Sequence, residues 1–435
     1  MKGVFFMSIN VTKKLFKKAS FDNVCEWHKE RYLDYDGLRI RETRAFEQMS
    51  DTMEYVEFRD SLDNGKTWGE WQLEPIAGRK SIGEDEYEWF CDISSCYIWN
   101  PVHKHSITLR MLRIFMGGYL VGGDLDSKGI TGFYDHGFLE VTDESGTYKQ
   151  MVAYEDGITE FDEKTYRDDE FLKKNNSAAY KAIVLSDGDL LIGVEGIPMY
   201  KVCDMLNLDI NEVFPSRPEY ECGILMCRGK WNKEEKKYDL TFSKPLYLPD
   251  VQSSRGLMEP TFIELKDNKI LLVMRGSNFV PPWFKDCCPY TPGFKYFSIS
   301  KDGGRTFSPV LPWFFDSKEV VYSSSTYSLL FRSIKNGKVY WVGNITDPTK
   351  VDGNYPRFPL QIAEVDEKWG ILKKDTVIVI DDKADGESEK MQLSNFCILQ
   401  NRETGVVEIC MTKLGQYDDR STYNGDVLKY YIELS

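Results

Sequence analysis

Four segments that read as β-hairpins constrain the fold of this chain more than any other feature of its sequence. Each has alternating apolar residues, a short polar reversal and a second apolar run. The reversals carry Asp-Gly, Asp-Asn, Asn-Gly or Thr-Gly, which are typical of the tight turn of a hairpin. Helical periodicity is weak outside short stretches near residues 160–174 and 205. The pattern predicts an all-β protein. The four segments are 181–194, 261–274, 327–343 and 395–411.

An eight-residue turn is also repeated. SLDNGKTW (61–68) and SKDGGRTF (300–307) both read Ser-x-Asp-x-Gly-x-Thr-aromatic, and poorer copies lie at 137–148 and 363–371. In such a turn the Asp side chain accepts backbone N–H groups, and the Gly takes a backbone conformation that other residues rarely adopt. The expected role of this turn is structural, and no chemistry is expected from its Asp63 or Asp302.

The spacing of these elements predicts the architecture. Equivalent positions recur at roughly 65 residues, and a four-stranded unit at this interval is typical of a propeller blade. A chain of 435 residues then holds six blades, with the N-terminal strand closing the last one. We therefore expect one six-bladed β-propeller domain spanning residues 1–435. Longer intervals indicate insertions near 155–178, 203–219 and 278–294.

Composition excludes several classes of partner and cofactor. The formal net charge is −14 and no long Lys/Arg run occurs, which argues against a nucleic-acid or anionic-membrane surface. No stretch reaches the length of a membrane span, and the N-terminal apolar run is too short for a secretory leader. Ten Cys and four His form no metal-ligand spacing, so no metal or cofactor is expected. Scattered thiols without a leader favour the cytoplasm.

The repeated turn resembles the Asp box of the sialidase superfamily, in which it lies on the blade periphery. The segment 253–278 is also similar to one in bacterial sialidases, where Arg follows the first of two Glu by sixteen residues. Here Glu259, Glu264 and Arg275 keep those intervals. The resemblance implies that Arg275 grips a substrate carboxylate and that Glu259 assists a nucleophile. Arg357 corresponds to a further arginine of that set, and Arg255 is another candidate.

The sequence departs from the sialidase pattern at the nucleophile. Sialidases attack the sugar with a Tyr, because an anionic nucleophile would be repelled by the carboxylate of the sugar. In EKMQLSNFCIL (389–399), Leu393 stands where that Tyr is expected. Tyr322 and Tyr327, which precede the inner strand of blade 5, are the alternatives, and we expect one of them to hydrogen-bond to Glu259.

Other site residues remain open on the sequence alone. The first arginine of the sialidase set is Arg41 or Arg44, and the general acid is Glu42, Glu47 or Asp51. His103 and His105 lie two residues apart at a strand start, so both face one side, and either is a candidate general acid or base. The Pro-rich and aromatic loop 278–294 is expected to wall the pocket.

These features favour an exo-acting glycosidase on a carboxylated sugar, such as sialic acid or a uronic acid. The partner is then a carbohydrate. Three alternatives stay open. The first is a His-dependent rhamnosidase or rhamnose–glucuronate lyase, favoured by the missing Tyr and the His pair, and the second is a propeller that binds carbohydrate without turnover. The third is a protein-interaction propeller, which is disfavoured because burying Arg and Glu would be costly there. The sugar, the linkage and the oligomeric state are not determined by the sequence.

Overall fold

The computed structural model describes residues 9–20, 24–47, 53–83, 86–90, 96–117, 130–162, 164–213, 222–278, 292–417 and 424–435. Antiparallel β-strands dominate these ranges, with three short α-helices. The strands of the first half are β1 (Ile9–Lys17), β2 (Cys25–Tyr32), β3 (Ile40–Glu47), β4 (Tyr55–Ser61), β5 (Gln72–Gly83), β6 (Glu86–Phe90), β7 (Cys96–Asn100), β8 (His105–Gly117), β9 (Ile130–Asp143), β10 (Gly146–Met151), β11 (Ala178–Val184), β12 (Leu190–Pro198), β13 (Cys222–Asn232) and β14 (Lys237–Phe242).

The strands of the second half are β15 (Met258–Glu264), β16 (Ile270–Arg275), β17 (Lys295–Ser300), β18 (Leu311–Pro312), β19 (Leu329–Arg332), β20 (Val339–Gly343), β21 (Leu360–Asp366), β22 (Ile371–Leu372), β23 (Ile378–Asp381), β24 (Cys397–Gln400), β25 (Val407–Thr412) and β26 (Val427–Leu434). The helices are α1 (Asp169–Lys173), α2 (Met199–Leu206) and α3 (Ile210–Val213). None of the helices in the described ranges is long and apolar enough to cross a membrane.

The strands form the six blades of a β-propeller, as predicted. Blade 3 is β11–β14, blade 4 is β15–β18, blade 5 is β19–β22 with β23 beside β21, and blade 6 is β24–β26. The N-terminal strand β1 completes blade 6 by pairing with β26 along its whole length. This pairing joins the two ends of the chain in one sheet, and it confirms the predicted closure of the last blade.

Blades 1 and 2 are linked into one sheet. Blade 1 is β2–β5 and blade 2 is β7–β10, and β6 pairs with both β5 and β8. The long strand β8 has room for two partners on one edge: β7 pairs with His105–Leu109, and β6 pairs with Leu112–Phe115. The hairpin β5–β6 therefore extends blade 1 across to blade 2.

The core consists of separate apolar layers between neighbouring blades. In β16 every residue is buried, and alternate side chains serve different layers. Leu271 and Val273 pack with side chains of blade 5, whereas Ile270, Leu272 and Met274 pack with those of blade 3. Because each face of a middle strand meets a neighbouring blade, its sequence is a continuous apolar run and not an alternating one.

The insertions predicted in the first half of the chain hold the helices. The segment 155–178 carries α1 between blades 2 and 3, and α2 and α3 lie between β12 and β13. Residues 214–219, which end the second insertion, lie outside the described residues, as do residues 279–291 of the third. Of the loop 278–294, which is predicted to wall the pocket, only residues 278 and 292–294 are among the described residues.

The two copies of the repeated turn have the same hydrogen bonds. In each, the Thr backbone N–H and hydroxyl both donate to the Asp carboxylate, at 2.8 and 2.6 Å from Asp63 and 2.9 and 2.6 Å from Asp302. The N–H of the Gly donates to the Ser hydroxyl, and Gly65 and Gly304 have φ of 81° and 87°. Each turn joins the third strand of its blade to the fourth, away from the axis.

We expect Asp302→Asn to destabilise the protein by about 1 kcal/mol at pH 7, after allowance for solvent screening, because neutral hydrogen bonds replace charge-assisted ones. These bonds lower the pKa of Asp302 from 3.8 to about 2. The carboxylate thus contributes stability above pH 4 that is lost as the pH falls through about 2. Urea unfolding from pH 7 to pH 2 measures this, with the exposed Asp267→Asn as control. A difference between variant and parent that does not shrink in acid would contradict the argument.

Candidate functional site

A cavity of about 1050 Å³ runs along the propeller axis. The blades line it from near the starts of their inner strands, at residues such as Glu259 and Tyr327, to near the ends of those strands, at residues such as Glu264 and Phe331. The seven-residue strand β15 spans roughly 20 Å at the usual rise per residue, so the two ends of the cavity are chemically separate places.

One end of the cavity is ringed by the turns of the inner hairpins, and we call it the hairpin face. Asn100 Nδ2 donates to Gly188 O at 2.8 Å, which joins blades 2 and 3. Ser186 Oγ donates to Glu264 Oε1 at 2.8 Å, which joins blades 3 and 4. Arg332 Nη2 donates to Glu264 O at 2.9 Å, which joins blades 4 and 5. The hairpin turns of successive blades are therefore side by side at this end.

The opposite end, where the inner strands begin, carries a cluster of arginines, and we call it the arginine face. Arg275 is the best connected member. Its Nη1 donates to Glu259 Oε1 at 2.7 Å, its Nε to Ser325 Oγ at 2.7 Å and its Nη2 to Asn354 Oδ1 at 2.9 Å. The Arg275 side chain is only 10% exposed. Its guanidinium orientation is therefore set by three partners from blades 4 and 5.

Asn354 gathers two further arginines around Arg275. Its Oδ1 also accepts from Arg255 Nη1 at 3.2 Å, and its backbone oxygen accepts from Arg357 Nε at 3.1 Å. Arg357 Nη1 in turn donates to Gln392 Oε1 at 2.7 Å. The structure thus brings together Arg255, Arg275 and Arg357, three of the five arginines predicted from the sequence. None of these three arginines lines the axial cavity itself, and the cluster adjoins it through Glu259, which does.

Glu259 holds an unusual backbone conformation beside this cluster. Its φ is +47°, in the left-handed region that favours glycine, and such strain concentrates at functional sites. One carboxylate oxygen accepts from Arg275, while Oε2 is buried without a hydrogen-bond partner among the described residues. The backbone N–H of Glu259 donates to the Glu195 carboxylate. Glu259 therefore presents an unsatisfied carboxylate oxygen next to the cavity that it lines.

Tyr327 lines the same cavity as Glu259. Its ring packs edge-on against Phe396, with centroids 5.3 Å apart. Burial raises the pKa of the Tyr327 phenol well above its usual value, and the negative charge of Glu259 raises it further. The phenol is therefore protonated at neutral pH, and its use as a nucleophile requires a base that takes the proton.

Lys295 lies fully buried behind the arginine face. Its Nζ donates to the backbone oxygen of Thr326. Burial lowers the pKa of Lys295 to about 7; Glu259 opposes this shift, whereas the charges of Arg275 and Arg357 add to it. The two arginines are therefore close enough to Lys295 for their positive charges to disfavour its protonated form.

Two predicted arginines lie elsewhere, and their assignment to the site is corrected. Arg41 makes two hydrogen bonds to the Asp60 carboxylate, at 2.7 and 2.9 Å, and Arg44 Nε donates to Glu57 Oε2 at 2.7 Å. Both residues are on β3, the second strand of blade 1, and neither lines the axial cavity. Cross-strand pairing with carboxylates on β4 explains why arginines are found there.

The structure also places Tyr322, the other candidate nucleophile, away from the axial cavity. Its ring stacks on Phe294, with centroids 5.4 Å apart, and its backbone oxygen accepts from Thr346 N at 3.0 Å. Tyr322 does not line the cavity, whereas Tyr327 does. Of the two tyrosines predicted as nucleophiles, only Tyr327 therefore lines the cavity with Glu259. The predicted hydrogen bond from a tyrosine to Glu259 is not observed, because Glu259 Oε1 accepts from Arg275 and Oε2 has no partner among the described residues.

The two histidines predicted as an acid/base pair lie at the end of the propeller opposite the arginine face. His103 is in the turn between β7 and β8, and His105 is the first residue of β8, on the hairpin face. His105 is buried, its Nε2 lies 2.7 Å from the Tyr238 hydroxyl, and its ring packs on Trp231 at 4.4 Å. The sequence predicts a strand start here, and His105 does begin β8, but β8 is the second strand of blade 2 and the pair follows the inner strand β7.

His105→Ala should destabilise the protein by about 2–3 kcal/mol, because it opens a cavity and removes the partner of a buried hydroxyl. Burial lowers the pKa of His105 to about 4. As the pH falls below about 6.5, His105 is protonated in the unfolded chain but stays neutral in the folded one. The free energy of unfolding therefore decreases as the pH falls from 6.5 towards 4. Urea unfolding across this range checks both effects, with His103→Ala as control. A loss of sugar binding in either variant would contradict a structural role.

The remaining candidates from the sequence are scattered. Leu393 is fully buried in the apolar layer between blades 5 and 6. Glu42 is buried and accepts from Arg59 Nε at 2.7 Å, with His28 Nδ1 at 2.8 Å. Glu47 lines the cavity and accepts the indole N–H of Trp27. Asp51 lies outside the described residues. Among the described residues no group of three or more His, Cys, Asp or Glu is placed to hold a metal.

The structure adds residues that sequence reasoning missed. Glu195, Asn354 and Lys295 all contact or influence Glu259 or Arg275. Glu195 lies at the end of a hairpin that was recognised only for its apolar alternation. Asn354 stands three residues before Arg357, and an asparagine in a turn-rich segment carries no signal of its own. The one signal available in the sequence was Lys295, the only charged residue of the strand KYFSIS (295–300).

No family profile and no curated protein matches this sequence. Solved structures do. A protein of unknown function from Dyadobacter fermentans matches with a TM-score of 0.56 at 10% identity, over 97% of this chain and 99% of that one. A mutant of the NanB sialidase from Streptococcus pneumoniae matches with a TM-score of 0.57 at 10% identity, over 97% of this chain and 71% of that one.

The chain has a sialidase-like six-bladed β-propeller fold. The NanB sialidase in complex with 2-[(3-chlorobenzyl)ammonio]ethanesulfonate gives the same result, with a TM-score of 0.56 at 10% identity over 96% of this chain and 70% of that one. Likeness at this level of identity concerns the path of the chain and the arrangement of the blades. The chemistry of the site has to be argued from the residues described above.

Proposed function

We propose that this protein is a glycosidase that binds a sugar bearing a carboxylate at the arginine face. The observation that carries the proposal is the cluster of Arg255, Arg275 and Arg357 around Asn354, next to Glu259 at the end of the axial cavity. Guanidinium groups suit this role because their planar fork makes two parallel hydrogen bonds to a carboxylate. The Oδ1 of Asn354 occupies donors of Arg275 and Arg255 that a ligand carboxylate would use.

The reaction we propose uses Tyr327 as the nucleophile and Glu259 as its base. Glu259 Oε2 takes the phenolic proton as the Tyr327 oxygen bonds to the anomeric carbon, and the bond to the leaving oxygen breaks. Water then attacks the glycosyl–tyrosine and restores the phenol. A neutral phenol is not repelled by the carboxylate of the sugar as it approaches, which is the reason for a tyrosine in place of a carboxylate.

The test is a panel of 4-methylumbelliferyl glycosides of sialic acid, glucuronic acid, glucose and rhamnose. We expect fluorescence release only from the two acidic sugars, and none from the methyl ester of the glucuronide, which lacks the charge. Turnover of the neutral sugars alone would overturn the proposal. Ultraviolet absorbance from an unsaturated product would indicate a lyase. Binding of the acidic sugars by calorimetry, without turnover of any of them, would indicate a binding protein.

A further inference from the structure

Glu195 is a carboxyl group at the arginine face that the proposed reaction has not used. It lies near the end of β12, where the pairing with β13 shifts between Val194 and Ile197. Gly196, which follows it, has φ of +74°. This local irregularity turns the side chain of Glu195 into the axial cavity, whose wall it forms together with Glu259.

Two irregular strand positions meet at this point. The pairing of β15 with β16 also shifts, between Met258 and Thr261, and Glu259 lies inside that shift. The backbone N–H of Glu259 donates to Glu195 Oε2. The Glu195 carboxyl group of blade 3 thus stabilises the left-handed backbone conformation of Glu259 in blade 4. Bulges next to active sites commonly re-aim a side chain. Here two of them place two carboxyl groups side by side.

The second oxygen of Glu195 is available to a ligand. Oε1 has no hydrogen-bond partner among the residues that the structure describes, and the side chain lines the cavity. Glu259 is ion-paired with Arg275, whereas Glu195 has no ion pair within the described ranges. One carboxyl group thus has a guanidinium beside it, and within the described ranges its neighbour has no counter-charge.

The surroundings of Glu195 keep it protonated. Burial raises its pKa to about 8; the negative charges of Glu259 and Asp135 raise it as well, while the Arg275 charge and the hydrogen bond from Glu259 N lower it. The Cys222 thiol is another titratable neighbour, and burial raises its pKa to about 12. A carboxyl group whose surroundings raise its pKa, next to one that is ion-paired with an arginine, is the arrangement that an acid and a base in one site require.

We propose that Glu195 is the general acid of the reaction, and this inference rests on the proposed glycosidase function. Its Oε1–H gives the proton to the departing glycosidic oxygen as the bond to the anomeric carbon breaks and the bond to Tyr327 forms. In the second step Glu195 takes a proton from the attacking water, and Glu259 returns its proton to Tyr327. Every proton is then back at its starting position. The assignment differs from the blade 1 acids considered on the sequence.

The variant Glu195→Gln tests this role, because the amide oxygen still accepts the Glu259 N–H while the acidic proton is gone. We expect turnover of an alkyl glycoside of the acidic sugar to fall by about 10²–10⁴-fold. Turnover of the matching 4-nitrophenyl glycoside, whose leaving group departs without protonation, should fall less than about tenfold. Equal losses on both substrates would overturn the proposal, since a purely structural role would not depend on the leaving group.

The pH profile gives a second readout. The acid acts only while protonated, so turnover of the alkyl glycoside by the parent should decline as the pH rises through about 8, following the raised pKa of Glu195. With the 4-nitrophenyl glycoside, Glu195→Gln should lack this decline. The comparison variants are Glu47→Gln and Asp51→Asn. If either of them, and not Glu195→Gln, shows dependence on the leaving group, that residue is the acid.

An infrared measurement separates this inference from the proposed function. The carbonyl band of a protonated carboxylic acid should be present in the parent at pH 6, disappear near pH 8 and be absent from Glu195→Gln. A parent that hydrolyses acidic 4-nitrophenyl glycosides but lacks this band would overturn the inference alone. A parent that shows the band but turns over no glycoside would overturn both the glycosidase function and the acid role.

Discussion

Tyr327→Phe is expected to abolish turnover while leaving the fold intact. The change removes one hydroxyl from a residue that lines the cavity beside Glu259, and the ring still packs on Phe396. Loss of the nucleophile should lower the turnover of the acidic glycosides by about 10³-fold or more. The free energy of unfolding should change by less than about 1.5 kcal/mol, the usual contribution of one hydrogen bond. Fluorescence release and urea unfolding measure the two effects.

The control for this variant is Tyr322→Phe. Tyr322 stacks on Phe294 away from the cavity, so its hydroxyl should be dispensable for turnover. A fluorinated acidic-sugar inactivator should leave a covalent label on Tyr327, found by mass spectrometry of the digested protein. A label on a different residue, or parental turnover by Tyr327→Phe, would show that Tyr327 is not the nucleophile.

Arg275→Ala is expected to weaken the binding of a carboxylated sugar by about 2–4 kcal/mol, which is roughly 30- to 1000-fold in Kd. The side chains of Arg275 and Glu259 are only 10% and 15% exposed, so the variant also leaves a poorly solvated carboxylate without its cation. A loss of about 3–5 kcal/mol in the free energy of unfolding should accompany the change. Calorimetric titration with free sialic acid or glucuronic acid and urea unfolding measure the two quantities.

Two further variants separate the contribution of Arg275 to sugar binding from its contribution to the stability of the fold. Arg275→Lys keeps the charge but not the planar fork, and it should recover only part of the affinity. The double variant Arg275→Met with Glu259→Gln removes both charges, so it should regain stability without regaining affinity. Arg41→Ala, whose parent residue is bound to Asp60 in blade 1, is the matched control and should bind the sugar normally. Parental affinity in both Arg275→Ala and Arg275→Lys would remove Arg275 from the site.

The repeated turns and hairpins could be predicted because their physical causes are local. In residues 300–307 the carboxylate of Asp302 bonds to Ser300, Arg305 and Thr306, all within four residues along the chain. Such a turn forms wherever its residues occur in that order. The alternation of the inner hairpins is equally local, and together with their spacing it predicts the number of blades.

The site could be predicted only in part. Glu259 and Arg275 belong to one hairpin, and their register places them at the same end of blade 4. That Arg357 joins them depends on Asn354 and on the packing of blade 5 against blade 4. On the sequence alone, Arg41 and Arg44 are equally good candidates for binding a sugar carboxylate. In the structure they pair with carboxylates of the neighbouring strand. Nothing in the sequence around residue 195 predicts that the Glu195 carboxyl group accepts a hydrogen bond from the backbone N–H of Glu259.

By itself, the sequence determined that the chain is built from repeated antiparallel units and that Glu259 and Arg275 stand together, since these follow from contacts between residues near in the chain. Tertiary structure alone decided which end of the propeller each side chain faces. It set His103 and His105 on the hairpin face, placed Tyr327 and not Tyr322 at the axial cavity, and brought Glu195 to Glu259. The reason is that blades meet through side chains distant in sequence, and their mutual orientation depends on closure of the ring, which no single segment encodes.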